Sequence, residues 1–148
     1  MDRAADGADL EPGRVHVAPA DRHVLVGEKG LRVVHGPREN GFRPAVDPLF
    51  RSAARSRGPG VIGVILSGAL DDGAAGLSAI ARRGGIAIVQ DPDDAEVPSM
   101  PLAALRLTQV HAVAPATLIA GAIEQFCRAR RDEPVPQPVA VHRKARAR

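Results

Sequence analysis

Aromatic residues are nearly absent: three Phe and no Trp or Tyr among 148 residues. That scarcity argues against modules that stack bases on exposed aromatic rings, so no nucleic-acid partner is expected. With 45% apolar residues, the core must be built from Val, Ile, Leu and Ala, a composition suited to tightly packed parallel strands under helices. Cysteine occurs once, as Cys127, which precludes an internal disulfide and fits a reducing cytoplasm. Long apolar runs are missing too. The most apolar stretch, Pro101 to Ile123, is interrupted by Arg106, Gln109, His111 and Pro115, and the first residues are polar and acidic. Neither a bilayer span nor a signal peptide is expected, and the reading is a cytoplasmic protein without membrane insertion. The five histidines lack metal-ligand spacing with Cys or with each other, and the acidic run from Asp91 to Glu96 lacks the ordered ligands of a cation loop. No metal and no other cofactor is expected.

What is present is unevenly distributed. Arg128 to Arg148 carries seven Lys/Arg against two Asp/Glu, so the formal charge of +3 describes the tail rather than the body. Residues 1–8 read as an irregular lead-in, 9–127 as a domain, and 128–148 as a basic, disordered tail. Within the domain, Arg14 to Ala18 alternates like a strand. Arg22 to Val26 and Leu31 to His35 flank the turn Gly27-Glu28-Lys29-Gly30 and predict a β-hairpin. Asp47-Pro48 predicts a helix start, with Asp47 as N-cap and an apolar face of Val46, Leu49, Phe50, Ala53 and Ala54. Val61 to Leu66 is continuous and β-branched, as in a central parallel strand. A helix to about Arg83, a strand at Ile86 to Val89, a short helix from Pro101, a strand at Val110 to Val113 and an amphipathic helix from Pro115 to Arg130 complete the pattern. Strands alternating with helices predict an α/β fold with a doubly wound, mainly parallel sheet.

In such sheets ligands sit beyond the carboxyl ends of the strands, which directs attention to Ser67-Gly68-Ala69-Leu70-Asp71-Asp72-Gly73. Asp72 has two readings here. It caps the following helix, or it is a carboxylate that orients a histidine. The Gly-rich helix start at Gly73 to Gly76 is a poor phosphate cradle, because two carboxylates precede it and no Lys or Arg sits in the loop. Ser67 lacks the Gly-x-Ser-x-Gly elbow of an activated nucleophile.

The loop also carries a resemblance. Val64 to Leu77 is similar to the V-L-L-T-G-M-G-x-D-G-A-x-G-L segment of CheB-type chemotaxis methylesterases. Asp9 to His23 resembles their P-G-x-V-Y-I-A-P-G-D-x-H. Asn40 to Phe50 resembles N-x-x-R-P-S-V-D-x-L-F, and Met100 to Ala104 resembles M-P-x-x-A. The four segments occur in the family's order. The resemblance implies hydrolysis of glutamate methyl esters, with glutamine deamidation in some members, on a methylated chemoreceptor or related signalling protein by a Ser-His-Asp mechanism. It places the catalytic aspartate on Asp72 and oxyanion or loop support on Gly68, Ala69 and Gly73. The family's Gly-x-Ser-x-Gly-Gly and Gln-His motifs occur nowhere in the sequence. The expected piece is therefore the C-terminal three-quarters of the domain, lacking its first strands, inactive alone, and prone to associate through an exposed sheet edge. The competing readings are a truncated, non-catalytic binding module or gene fragment, and a nucleotide-binding α/β domain.

Overall fold

The computed structural model describes residues 1–132. Strand β1 (Asp2–Arg3) pairs in parallel with β2 (His16–Val17), and β3 (His23–Val26) pairs antiparallel with β4 (Leu31–Val34) around the predicted turn. Helix α1 (Val46–Arg57) follows, and a short 3-10 turn at Gly58–Gly60 leads into the principal sheet. That sheet is built from β5 (Ile62–Ile65), β6 (Ile86–Gln90) and β7 (Ala112–Ala114), all parallel, in the order β5-β6-β7. The crossovers are α2 (Ala74–Arg82) and α3 (Ser99–Leu107), and α4 (Ala116–Asp132) follows β7.

The sheet is covered on both faces, which makes it doubly wound. Alternation along β6 sends Ala87 and Val89 toward α2 and α3, where they meet Ile65, Leu77 and Ala104. Ile86 and Ile88 point the other way, onto Ile119, Ile123 and Phe126 of α4. The five residues of β6 are all buried, and each such Val or Ile contributes roughly 1.5–3 kcal/mol through removal from water. A third cluster lies between the hairpin and α1, where Val24, Leu31 and Ala4 meet Leu49. Ser52 and Ser56, one turn apart on α1, grip the backbone of Val26. Ser52 Oγ accepts its N–H at 2.9 Å and Ser56 Oγ donates to its carbonyl at 2.7 Å.

Three expectations need correction. Val61 to Leu66 reads as a central strand, yet among the described residues β5 lies at the edge of the sheet and β6 takes the centre. A continuous apolar run reports cover on both faces, which β5 has, and says nothing about strand order. Residues 1–8 are not wholly irregular. Asp2 donates to Val15 O and Ala4 to Val17 O, and Ala4 is buried beneath the hairpin. A two-residue strand carries too little pattern for alternation to reveal it. Finally, α4 runs through Asp132, into the segment read as tail; the rest of that segment, 133–148, lies outside the described residues.

Candidate active site

The loop after β5 is tied down before any chemistry is considered. Gly68 donates its N–H to Val97 O at 2.9 Å and accepts from Met100 N–H at 3.0 Å. A Cβ at Gly68 would collide with Met100 Sδ, so the glycine lets the loop lie on α3. Ser67 Oγ accepts the Val97 N–H at 2.9 Å, and Ser67 N–H reaches the buried Gln90 side chain at 2.8 Å. Gln90 in turn donates to Asp94 Oδ2 at 2.8 Å, which also accepts the Ala116 N–H at the start of α4 at 2.9 Å. Those two donors hold the Asp94 carboxyl below its ordinary value, the backbone N–H being the larger cause. The Ser67 hydroxyl is thus a brace between two loops, and no histidine hydrogen-bonds to it among the described residues.

Gly68 commits its N–H to Val97 O in the loop between β6 and α3. The Ala69 N–H has no hydrogen-bond partner among the described residues, and the residue is exposed. Leu70 occupies the left-handed region at φ +63, where the resembling motif carries Gly. Gly73, at φ +89, is the backbone N-cap of α2; a Cβ there would strike Ile65 and Val46.

Asp72 is buried, at 5% exposure. Its carboxylate does not cap α2. It reaches instead to the start of α1, accepting the Val46 N–H on Oδ2 at 2.7 Å and the Asp47 N–H on Oδ1 at 3.1 Å. Asp47, expected as the N-cap of α1, lies inside that helix and reaches back the other way. Its Oδ1 accepts the Gly76 N–H in the first turn of α2 at 2.7 Å. Ala45 occupies the N-cap position of α1 and contributes no side-chain bond. Each helix is therefore capped by the other's carboxylate, and each carboxylate faces the positive end of a helix dipole. Asn40 Nδ2 lies between them, 2.7 Å from Asp47 Oδ2 and 2.9 Å from Asp72 Oδ1.

The loop that presents Asn40 is itself fixed by His23 and Arg43, neither of which the sequence places at the site. His23 is buried; its Nδ1 accepts the Ala45 N–H at 3.2 Å, so its Nε2–H donates to Pro37 O at 2.8 Å. Arg43 donates to Gly36 O at 3.0 Å and through Nε to Asp21 Oδ1 at 2.9 Å. The Arg43 guanidinium, and then His35, hold the Asp21 carboxyl below its ordinary range. Within Asn40 to Phe50, the Asn-Gly pair is a turn signal in its own right. Nothing local indicates that Asn40 and Asp47 would meet Asp72.

A carboxylate offers about four acceptor positions. In Asp72 two are used on Oδ1 and one on Oδ2, leaving Oδ2 able to take one further donor such as an imidazole N–H. Asp72 and the free Ala69 N–H flank the same short loop at the carboxyl end of β5. The arrangement supplies a buried carboxylate and a backbone donor, and among the described residues no histidine reaches Asp72.

The sequence profile of the CheB methylesterase family matches residues 1–123. A protein-glutamate methylesterase/protein-glutamine glutaminase of Anaeromyxobacter dehalogenans is 43% identical over 129 residues, covering 84% of this chain and 36% of its own length. The protein-glutamate methylesterase FrzG of Myxococcus xanthus is 43% identical over 118 residues, covering 79% and 35%. The chain thus spans about a third of the length of these curated relatives. Among solved structures, the catalytic domain of a Thermotoga maritima CheB methylesterase superposes with a TM-score of 0.80 at 29% identity, over 83% of this chain and 67% of that one. With its profile matched across most of its residues and its fold shared with a solved catalytic domain, this chain belongs to the CheB methylesterase family.

Proposed function

We propose that the chain provides the acid half of a protein-glutamate methylesterase site. Asp72 orients a histidine through the open position on Oδ2. That histidine takes the proton of a serine as the serine attacks the methyl ester of a glutamate on a chemoreceptor or related signalling protein; the proton passes to the departing methanol, and water then cleaves the acyl-serine to the free glutamate. The Ala69 N–H receives the developing oxyanion, a role that needs a backbone donor and tolerates the small side chain. Gly68 and Gly73 shape the loop around it. The observation that carries this reading is the carboxylate itself, buried, held by three N–H donors and left with one vacant acceptor position. Holding an imidazole in one tautomer requires an acid that cannot rotate.

The serine and histidine are supplied by polypeptide outside this sequence, which contains neither the Gly-x-Ser-x-Gly-Gly nor the Gln-His motif. The open edge of β5 is where that polypeptide adds. No described strand pairs with it, and Leu66 at its end is 49% exposed. An unprotected parallel edge is a template for another strand. No helix among the described residues is long and apolar enough to cross a membrane.

The test is methanol release from a methylated receptor fragment. The purified chain alone should release none above background. Release should appear once a segment bearing the serine and histidine motifs is added and shown to co-migrate with the chain, and should vanish in Asp72→Ala and after a serine-reactive probe. A co-migrating but inert mixture would overturn the assignment. Binding of the receptor fragment without turnover would favour the binding-module reading.

A further inference from the structure

Two buried carboxylates, Asp47 and Asp72, share one site, and none of the ion pairs among the described residues includes either of them. Burying two like charges together without a cation is unfavourable unless each is fully hydrogen-bonded. The N-termini of α1 and α2 supply part of that compensation through Val46, Asp47 and Gly76. Among the described residues the rest is one amide. Asn40 Nδ2 has two N–H bonds and sits within hydrogen-bond distance of one oxygen from each carboxylate.

The backbone is built to hold it there. Asn40 at φ +53 and Gly41 at φ +84 form a two-residue turn, closed by Glu39 N–H to Phe42 O at 3.0 Å and Phe42 N–H to Glu39 O at 2.8 Å. Left-handed φ at both central positions is the requirement of a type I′ turn, which Asn-Gly meets. His23 and Arg43 pin the two ends of the surrounding loop. An amide on a flexible loop would have to be ordered at the moment it is needed; this one is already in place.

We infer that Asn40 is a positioning residue: it clamps Asp72 to the start of α1 through Oδ1, so that Oδ2 is the oxygen left for an imidazole, and it prevents Asp47 and Asp72 from repelling each other. Its catalytic consequence rests on the proposal that Asp72 is the orienting acid; the clamp itself does not.

Two variants of the full chain separate the clamp from the turn. Asn40→Gly keeps the left-handed turn and deletes the amide. Asn40→Asp keeps the shape and the tolerance of left-handed φ but replaces the donor with a third carboxylate. The carbon-13 signals of the Asp47 and Asp72 carboxyls at pH 7 are the first readout, and thermal unfolding at pH 7 the second. Both carboxyl signals should move in Asn40→Gly and in Asn40→Asp, because a hydrogen-bond donor to each carboxylate is lost. Both variants should unfold at lower temperature, Asn40→Asp the more so, because it puts a third carboxyl where the amide stood. If both variants keep the parent's carboxyl signals and melting temperature, Asn40 is merely a turn residue and the inference fails. In the complemented esterase, Asn40→Gly should lower kcat by roughly ten- to a hundredfold with KM unchanged, the loss of one hydrogen bond to a charged group. Displaced carboxyl signals with no esterase in any mixture would leave the clamp standing and remove the proposed reaction. Displaced carboxyl signals with an unimpaired kcat would remove the positioning role.

Discussion

Leu70 holds a backbone conformation that costs an L residue about 1–2 kcal/mol, at φ +63, and its side chain is 60% exposed, so little burial offsets that strain. Leu70→Gly should therefore stabilise the chain by about 1 kcal/mol, after the greater entropy of glycine in the unfolded chain is subtracted. A denaturant midpoint that rises at constant slope checks it. Two residues on, the expectation has the opposite sign. Both Asp72 oxygens accept N–H bonds, so Asp72→Asn must turn its own NH2 against at least one donor. The expected loss is about 2–3 kcal/mol, more than an exposed cap contributes. The position of Asp72 was legible because strand, loop and helix each leave a local signature. Its partners were not. Capping rules look a few residues along the chain, whereas Asp72 caps a helix 25 residues upstream and Asp47 caps one 29 residues downstream. Once the chain brings two helix starts together, a carboxylate is free to serve either of them.

At the scale of elements, α1 and α2 cross closely at Gly76. A Cβ there would lie 2.6 Å from Phe50 Cβ and 3.3 Å from Asp47 Cα, groups attached directly to the α1 backbone. Replacing a helical glycine by alanine ordinarily stabilises by about 1 kcal/mol. Here overpacking of roughly 1–3 kcal/mol opposes it, and separating the helices also stretches the Gly76 N–H to Asp47 bond. Gly76→Ala should lower the melting temperature, and Gly121→Ala, on α4 with nothing within 4 Å, should raise it slightly or leave it unchanged. Element boundaries were largely readable, because Gly58-Pro59-Gly60, Gly84-Gly85 and Pro115 punctuate a strong apolar rhythm. Strand order was not. The centre belongs to the strand that finds partners on both sides, and β5 and β6 both read as continuous apolar runs.

For the molecule as a whole, acid should act in two stages with separate causes. His111 Nδ1 accepts the Ala87 N–H at 3.0 Å, which only an unprotonated ring nitrogen can do. Burial and then the nearby Arg130 lower its pKa from the ordinary 6.5. The unfolded chain takes up this proton first, so stability is full above about that value and falls as pH drops toward the folded value. The step links β6 to α4, since the same ring meets Phe126 edge-on. Asp21 and Asp94 act lower down. Both carboxyls are held below the ordinary 3.8, chiefly by Arg43 and by the Ala116 N–H respectively. Their contribution is present above 3.8 and disappears as pH falls through the lowered folded values. Both are solvent-exposed, so salt should weaken the Asp21 share while leaving the His111 step nearly intact. Unfolding midpoints recorded from pH 8 to 2 should accordingly decline twice. His111→Gln should flatten the first decline, and Asp21→Asn should shrink the second. A single decline confined below pH 4 in the parent chain would mean that His111 releases Ala87 without loss, and that the contact between β6 and α4 does not depend on it.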